Sequence, residues 1–228
     1  MKICLHLGAH ATDDGRLVRS LLRSRTTLAP EVVHIPAPRR YRQILRESLS
    51  ILNGMPASKE VQQILLDVMV ENDGIERLIL FHEGLVAIPA RAISIDGLYP
   101  MAPSRVAAIR NMFPDHETAL FLALCNPATM IPALAQRLGA DGYNIVMGEA
   151  SVLRLRWYST IAAILQANPG VDLTLWCHED TPRVWPEVLR AIGGVEPNVP
   201  MEGELDMLYN LLTEEGFSAL TTALEGVR

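Results

Sequence analysis

Short, almost wholly apolar runs alternate with longer stretches of helical periodicity along the chain. The apolar runs are Ile3–Leu7, Val32–Ile35, Leu78–His82, Ala119–Leu124 and Leu173–Cys177. Their cores lack the in–out alternation of a half-solvated strand, so they predict parallel strands covered on both faces. Helical stretches between and after them span Asp14–Arg25, Arg40–Leu52, Ser58–Val70, Pro103–Met112, Ala128–Leu138, Ser151–Ala167, Pro182–Ile192, Leu205–Thr213 and Phe217–Leu224. Strand–helix alternation predicts a three-layer α/β fold: a mainly parallel central sheet with helices on both faces, Ile3–Leu7 being an interior strand. Ser58 ahead of Lys-Glu-Val-Gln and Thr181 ahead of Pro182 read as helix starts. Residues Gly84–Pro103, with two Gly and three Pro, break the alternation and predict a surface excursion over one sheet edge.

Length fits one domain spanning residues 1–228, with 49% hydrophobic and 20% charged residues. A net charge of −6 argues against a general nucleic-acid binder. Lys2 and Lys59 are the only lysines. No basic start with an apolar run behind it and no run of 18 apolar residues is present, so neither a secretory signal nor a membrane span is expected. Cys4, Cys125 and Cys177 lie in apolar, strand-like runs. They predict buried, unpaired thiols in a cytoplasmic protein.

In open parallel sheets, ligands bind beyond the carboxyl ends of the strands. Here those ends hold His6, Gly8 and His10; His34; His82, Glu83 and Gly84; Cys125 and Asn126; and His178, Glu179 and Asp180. Five of the six histidines therefore lie at or just past predicted strand ends. The plainer reading is that they cap helices or bond loop backbone. His6 and His10 span a strand-to-loop turn and not one helix face, so their spacing does not make a metal pair. No Gly-x-Ser-x-Gly elbow is present. The loop after the first strand leads into a helix, whose first amides and positive dipole end suit an anion.

Three segments resemble the bacterial sulfotransferase-like family. His6-Leu7-Gly8-Ala9-His10-Ala11-Thr12 is similar to its first motif, Phe113-Pro114 with the strand ending in Cys125-Asn126-Pro127 to its strand ending in Arg-Asn-Pro, and Trp176–Pro182 to a late Trp-x-x-Glu-Asp-x-Pro segment. The resemblance implies a P-loop-type fold binding 3′-phosphoadenosine 5′-phosphosulfate. Gly8, Ala9, His10, Thr12, Gly15, Arg16 and Asn126 would then lie at the nucleotide, with His10, His82 and Glu83 as catalytic candidates near the acceptor.

Departures from the pattern fall on cofactor contacts. Ala11 stands for the loop lysine, Asp13-Asp14-Gly15 for Gly-Thr-Thr, Cys125 for the 3′-phosphate arginine, and Ala133 for a serine. Two lost charge-assisted bonds, at roughly 1.5–3 kcal/mol each, weaken binding by about two to four orders of magnitude. The expectation is therefore weak or absent binding of that nucleotide. Two alternatives stand beside an active transferase. One is a non-catalytic descendant binding a protein partner or another small ligand. The other is a different enzyme acting on a cationic or neutral substrate. Trp157, Tyr158 and Trp185 are candidates for core or for a homo-oligomer interface, core being the better reading.

Overall fold

A computed structural model describes residues 1–28, 32–71 and 74–225. Five parallel strands form the central sheet: β1 (Lys2–His6), β2 (Val33–His34), β3 (Arg77–Phe81), β6 (Glu117–Leu124) and β7 (Asp172–Cys177), in the order β2-β3-β1-β6-β7. β1 is central. His6 lies opposite Phe81 on one side and Phe121 on the other. A two-stranded antiparallel hairpin, β4 (Ile93–Ser94) with β5 (Gly97–Leu98), stands apart from the sheet.

Alternate residues of the buried strands feed two cores. Ile3, Leu5, Leu78, Leu80, Leu120 and Leu122 pack on one side with Tyr41, Leu45 and Leu49 of α3 (Pro38–Leu52), Leu65 of α4 (Lys59–Met69), and Val106 and Ile109 of α5 (Ala102–Asn111). Leu134 of α6 (Pro127–Leu138), Val146 of α7 (Gly142–Met147) and Ile164 of α8 (Trp157–Ala167) complete that layer. Cys4, Ile79, Phe81, Ala119 and Phe121 face the other way. They meet Leu17 and Leu21 of α1 (Arg16–Arg23) and Trp185, Leu189 and Ile192 of α9 (Thr181–Gly193), with Met201 and Met207. The short helix Arg25–Leu28, here α2, joins this layer through Leu28; α10 (Glu214–Glu225) ends the described chain.

Several expectations are corrected. Cys177 is exposed, because β7 is an edge strand with Asp172, Thr174 and Cys177 open to solvent; Cys4 and Cys125 are buried, and all three thiols are free. The stretch Leu205–Thr213 holds only a 3₁₀ turn, Leu208–Asn210. Ser151–Ala167 becomes a 3₁₀ turn at Val152–Arg154 and a helix that starts only at Trp157. Residues 84–103 hold exposed Ile88 but also Leu85, Val86, Ala92, Ile93, Leu98 and Tyr99, which are buried in the larger core. Trp185 is core, as expected, whereas Tyr158 is exposed. No helix among the described residues is long and apolar enough to cross a membrane.

Candidate functional site

A cavity of about 310 Å³ opens beyond the carboxyl ends of β1 and β3. His6, Asp13, Asp14, Arg42, His82, Glu83 and Arg137 supply its polar wall. Sheet order explains which strand-end histidines meet: β1 and β3 are neighbours, so His6 and His82 share the cavity. His34 ends the outer strand β2, and His178 follows the outer strand β7.

The loop after β1 is tied down by its own backbone. Leu7 N–H donates to Phe121 O at 2.9 Å, Ala123 N–H to Gly8 O at 2.6 Å, and Ala9 N–H to Ala123 O at 2.8 Å. This continues the pairing with β6 past the end of the strand. Gly8 has φ +106°, and a Cβ there would lie 3.2 Å from His10 N and 3.3 Å from Glu83 Cβ, so glycine is required. Thr12 Oγ1 donates to Ala9 O at 2.7 Å. Ala11 and Asp14 hold left-handed φ values of 62° and 49°.

Asp13 closes the loop. Its carboxylate accepts from Gly15 N–H at 3.3 Å and from Leu17 N–H at 3.0 Å, while its carbonyl accepts from Arg16 N–H at 2.9 Å. The first amides of α1, the groups that would meet an external anion, therefore carry an internal one. Arg16 points away: its guanidinium reaches Met207 Sδ at 3.5 Å.

A cation does reach the loop, from a residue that the sequence pattern did not single out. Arg137, in the last turn of α6, donates to Asp14 Oδ1 at 3.0 Å and to Glu83 Oε1 at 3.3 Å. Nothing at its position in the sequence distinguishes it from the other arginines; only the packing of α6 brings it there.

Each predicted catalytic residue has a structural partner. His10 is 1% exposed and stacks on Tyr99, whose hydroxyl lies 2.7 Å from His10 Nδ1 and accepts from His10 N–H at 2.9 Å. Burial, with the positive charge of Arg137, lowers the His10 pKa to about 4. His82 accepts from Gly84 N–H at Nδ1 and lies 3.2 Å from Arg42 O at Nε2, which fixes its tautomer; burial and Arg42 bring it to about 4 as well. Glu83 is bound to Arg137. Asn126 caps α6, its Oδ1 accepting from Ala128 N–H, and its own N–H donates to Glu179. Cys125 is 0% exposed, and burial together with the charge of Glu179 raises its thiol to about 11.

His6 is 4% exposed and stacks on Trp176 with ring centroids 5.6 Å apart; its Nε2, like that of His10, has no hydrogen-bond partner among the described residues. Burial lowers its pKa, against the opposing pull of Asp13, so the ring is neutral at pH 7. Among the described residues no three His, Cys, Asp or Glu side chains gather as a metal site requires.

No protein-family model and no curated protein matches this sequence. A solved structure, a sulfotransferase from Alicyclobacillus acidocaldarius, is similar over 91% of this chain and 88% of its own, with a TM-score of 0.48 and 13% identity. At that identity the likeness equates no residues between the two chains.

Proposed function

We propose that this chain is a sulfotransferase-like protein whose donor loop is closed by its own carboxylate. In this reading it does not use 3′-phosphoadenosine 5′-phosphosulfate, and the cavity beside His6 takes a small polar ligand, neutral or cationic. The observation that carries the reading is the Asp13 carboxylate on the first amides of α1. A phosphosulfate arriving there would have to displace that carboxylate and lie beside Asp14 and Glu83, whose nearest cation, Arg137, is already paired with both. Three carboxylates against Arg42 and Arg137 leave the wall with a net negative charge. The orphaned His6 Nε2 offers one buried polar contact that a ligand would satisfy.

Titration calorimetry with adenosine 3′,5′-bisphosphate tests the reading. Wild type is expected to show no binding at micromolar concentrations. Asp13→Ala, which frees the amides and removes a charge, is expected to gain measurable affinity. Micromolar binding by wild type would overturn the proposal.

One observation favours a second reading, in which transfer persists. Arg137 lies at the mouth of the loop and could serve as its cation if Asp14 and Glu83 released it. Under that reading the pair Asp14→Asn, Glu83→Gln would bind the bisphosphate tightly while Asp13 stayed in place. Under the first reading it would not.

A further inference from the structure

A separate concavity of about 640 Å³ lies on the far side of the 3₁₀ turn Glu83–Leu85, between α3, residues 84–91 and the start of α5. Its floor is aliphatic: Leu49, Leu85 and Val86 are almost fully buried. Ile88 and Met101 flank the floor, and about half of each is open to solvent. Arg46, Arg91 and Arg105 also line it.

No carboxylate lines this groove. None of the three guanidiniums makes an ion pair or side-chain hydrogen bond among the described residues, although acidic residues outnumber basic ones, 26 to 20, in the chain. Like charges set round a low-dielectric floor focus a positive potential into it. Guanidinium is weakly hydrated and matches carboxylate, sulfate or phosphate with two parallel hydrogen bonds. Arg46 and Leu49 are three residues apart on α3, so head-group and tail contacts come from one helix face. The volume is in the range of small-molecule sites, roughly 300–1,000 Å³.

We infer that this groove binds a single-chain anionic amphiphile, with the acidic head at the arginines and the alkyl chain along Leu49, Leu85, Ile88 and Met101. Charge complementarity selects the head, and the aliphatic floor selects the tail. The inference is independent of what occupies the cavity at His6.

Calorimetric titration at low salt with decanoate, acetate and decyltrimethylammonium tests it. Decanoate should bind, and the other two should not. The triple variant Arg46→Gln, Arg91→Gln, Arg105→Gln should lose at least about tenfold in affinity, since one charge-assisted contact alone contributes about that factor. Ile88→Asp, at an exposed position, should lose a similar factor with an unchanged melting temperature. Acetate binding as tightly as decanoate would reduce the groove to a plain anion site and overturn the proposal. Equal binding of decyltrimethylammonium, or an undiminished triple variant, would overturn it too. So would binding of an acidic peptide in the absence of decanoate binding, which would assign the groove to a protein partner.

Discussion

Tyr99 holds His10 twice, through the imidazole Nδ1 at 2.7 Å and through the backbone N–H at 2.9 Å. The tyrosine comes from the loop after the β4–β5 hairpin, and its ring also stacks on Trp157 with centroids 5.4 Å apart. A segment far along the chain therefore fixes the loop after β1. Tyr99→Phe keeps the ring and removes both contacts. An unsatisfied buried polar group costs about 1–3 kcal/mol. We expect a loss on the order of 2–4 kcal/mol in urea denaturation, with the secondary structure unchanged by circular dichroism.

Asp13→Ala removes the carboxylate that accepts from Gly15 N–H and Leu17 N–H at the start of α1, a contact that acts as a cap does. Loss of such a cap costs about 0.5–2 kcal/mol. Asp13→Asn retains an acceptor and should recover most of it. Urea midpoints of the two variants, compared with wild type, check the order.

Stability should fall in mild acid. His10 and His82 titrate near 4 in the folded protein, against an ordinary value of 6.5. The unfolded chain therefore binds more protons between these limits, and the stability that comes from keeping both rings neutral is present above about pH 6.5 and is lost as pH falls towards 4. Each residue accounts for up to about 3 kcal/mol. Denaturation midpoints measured from pH 7.5 down to 4 should decline, and Tyr99→Phe, which changes the surroundings of His10, should alter the slope. A flat profile would contradict the buried, neutral assignment.

Thiol titration should separate the cysteines. Cys177 is exposed, and Cys4 and Cys125 are buried. An aromatic disulfide reagent should modify one thiol per native chain quickly and three after unfolding.

Gly142→Ala should destabilise strongly. A Cβ there would overlap the carbonyl of Ala135, where α7 crosses close to α6. Overpacking of this kind costs typically about 1–3 kcal/mol, and more where backbone must move. A thermal melt would show it.

The parallel sheet was legible because continuous apolar runs such as Leu78–Phe81 report burial on both faces. The same signal misjudged β7, since an edge strand with an apolar sequence reads like a central one. The hairpin, Tyr99 and the buried part of residues 84–103 were hidden by Gly and Pro, which mark turns without saying whether the turns are packed. At the candidate site, the loop residues were visible as a strand–turn–helix pattern. The role of Asp13 was not: a carboxylate in that turn reads as repulsion towards a ligand until its hydrogen bonds to Gly15 and Leu17 are seen. The substitution Cys125→Arg, which the motif comparison suggests as a way to restore a cation, meets a fully buried side chain and would disrupt the core.

The smaller of the two cores joins segments far apart in the sequence. Leu17 and Leu21 near the start are covered by Trp185, Leu189 and Ile192, and by Met201 and Met207 beyond them. During synthesis, α1 leaves the ribosome long before its cover exists, and the apolar face of the nascent helix stays open until residues 185–207 have been made. The other layer, built mainly from the middle of the chain, can gather earlier on β1, β3 and β6. Truncation just before Thr181 would therefore leave a chain able to assemble the larger layer yet still exposing the underside of its sheet, a species prone to capture by chaperones.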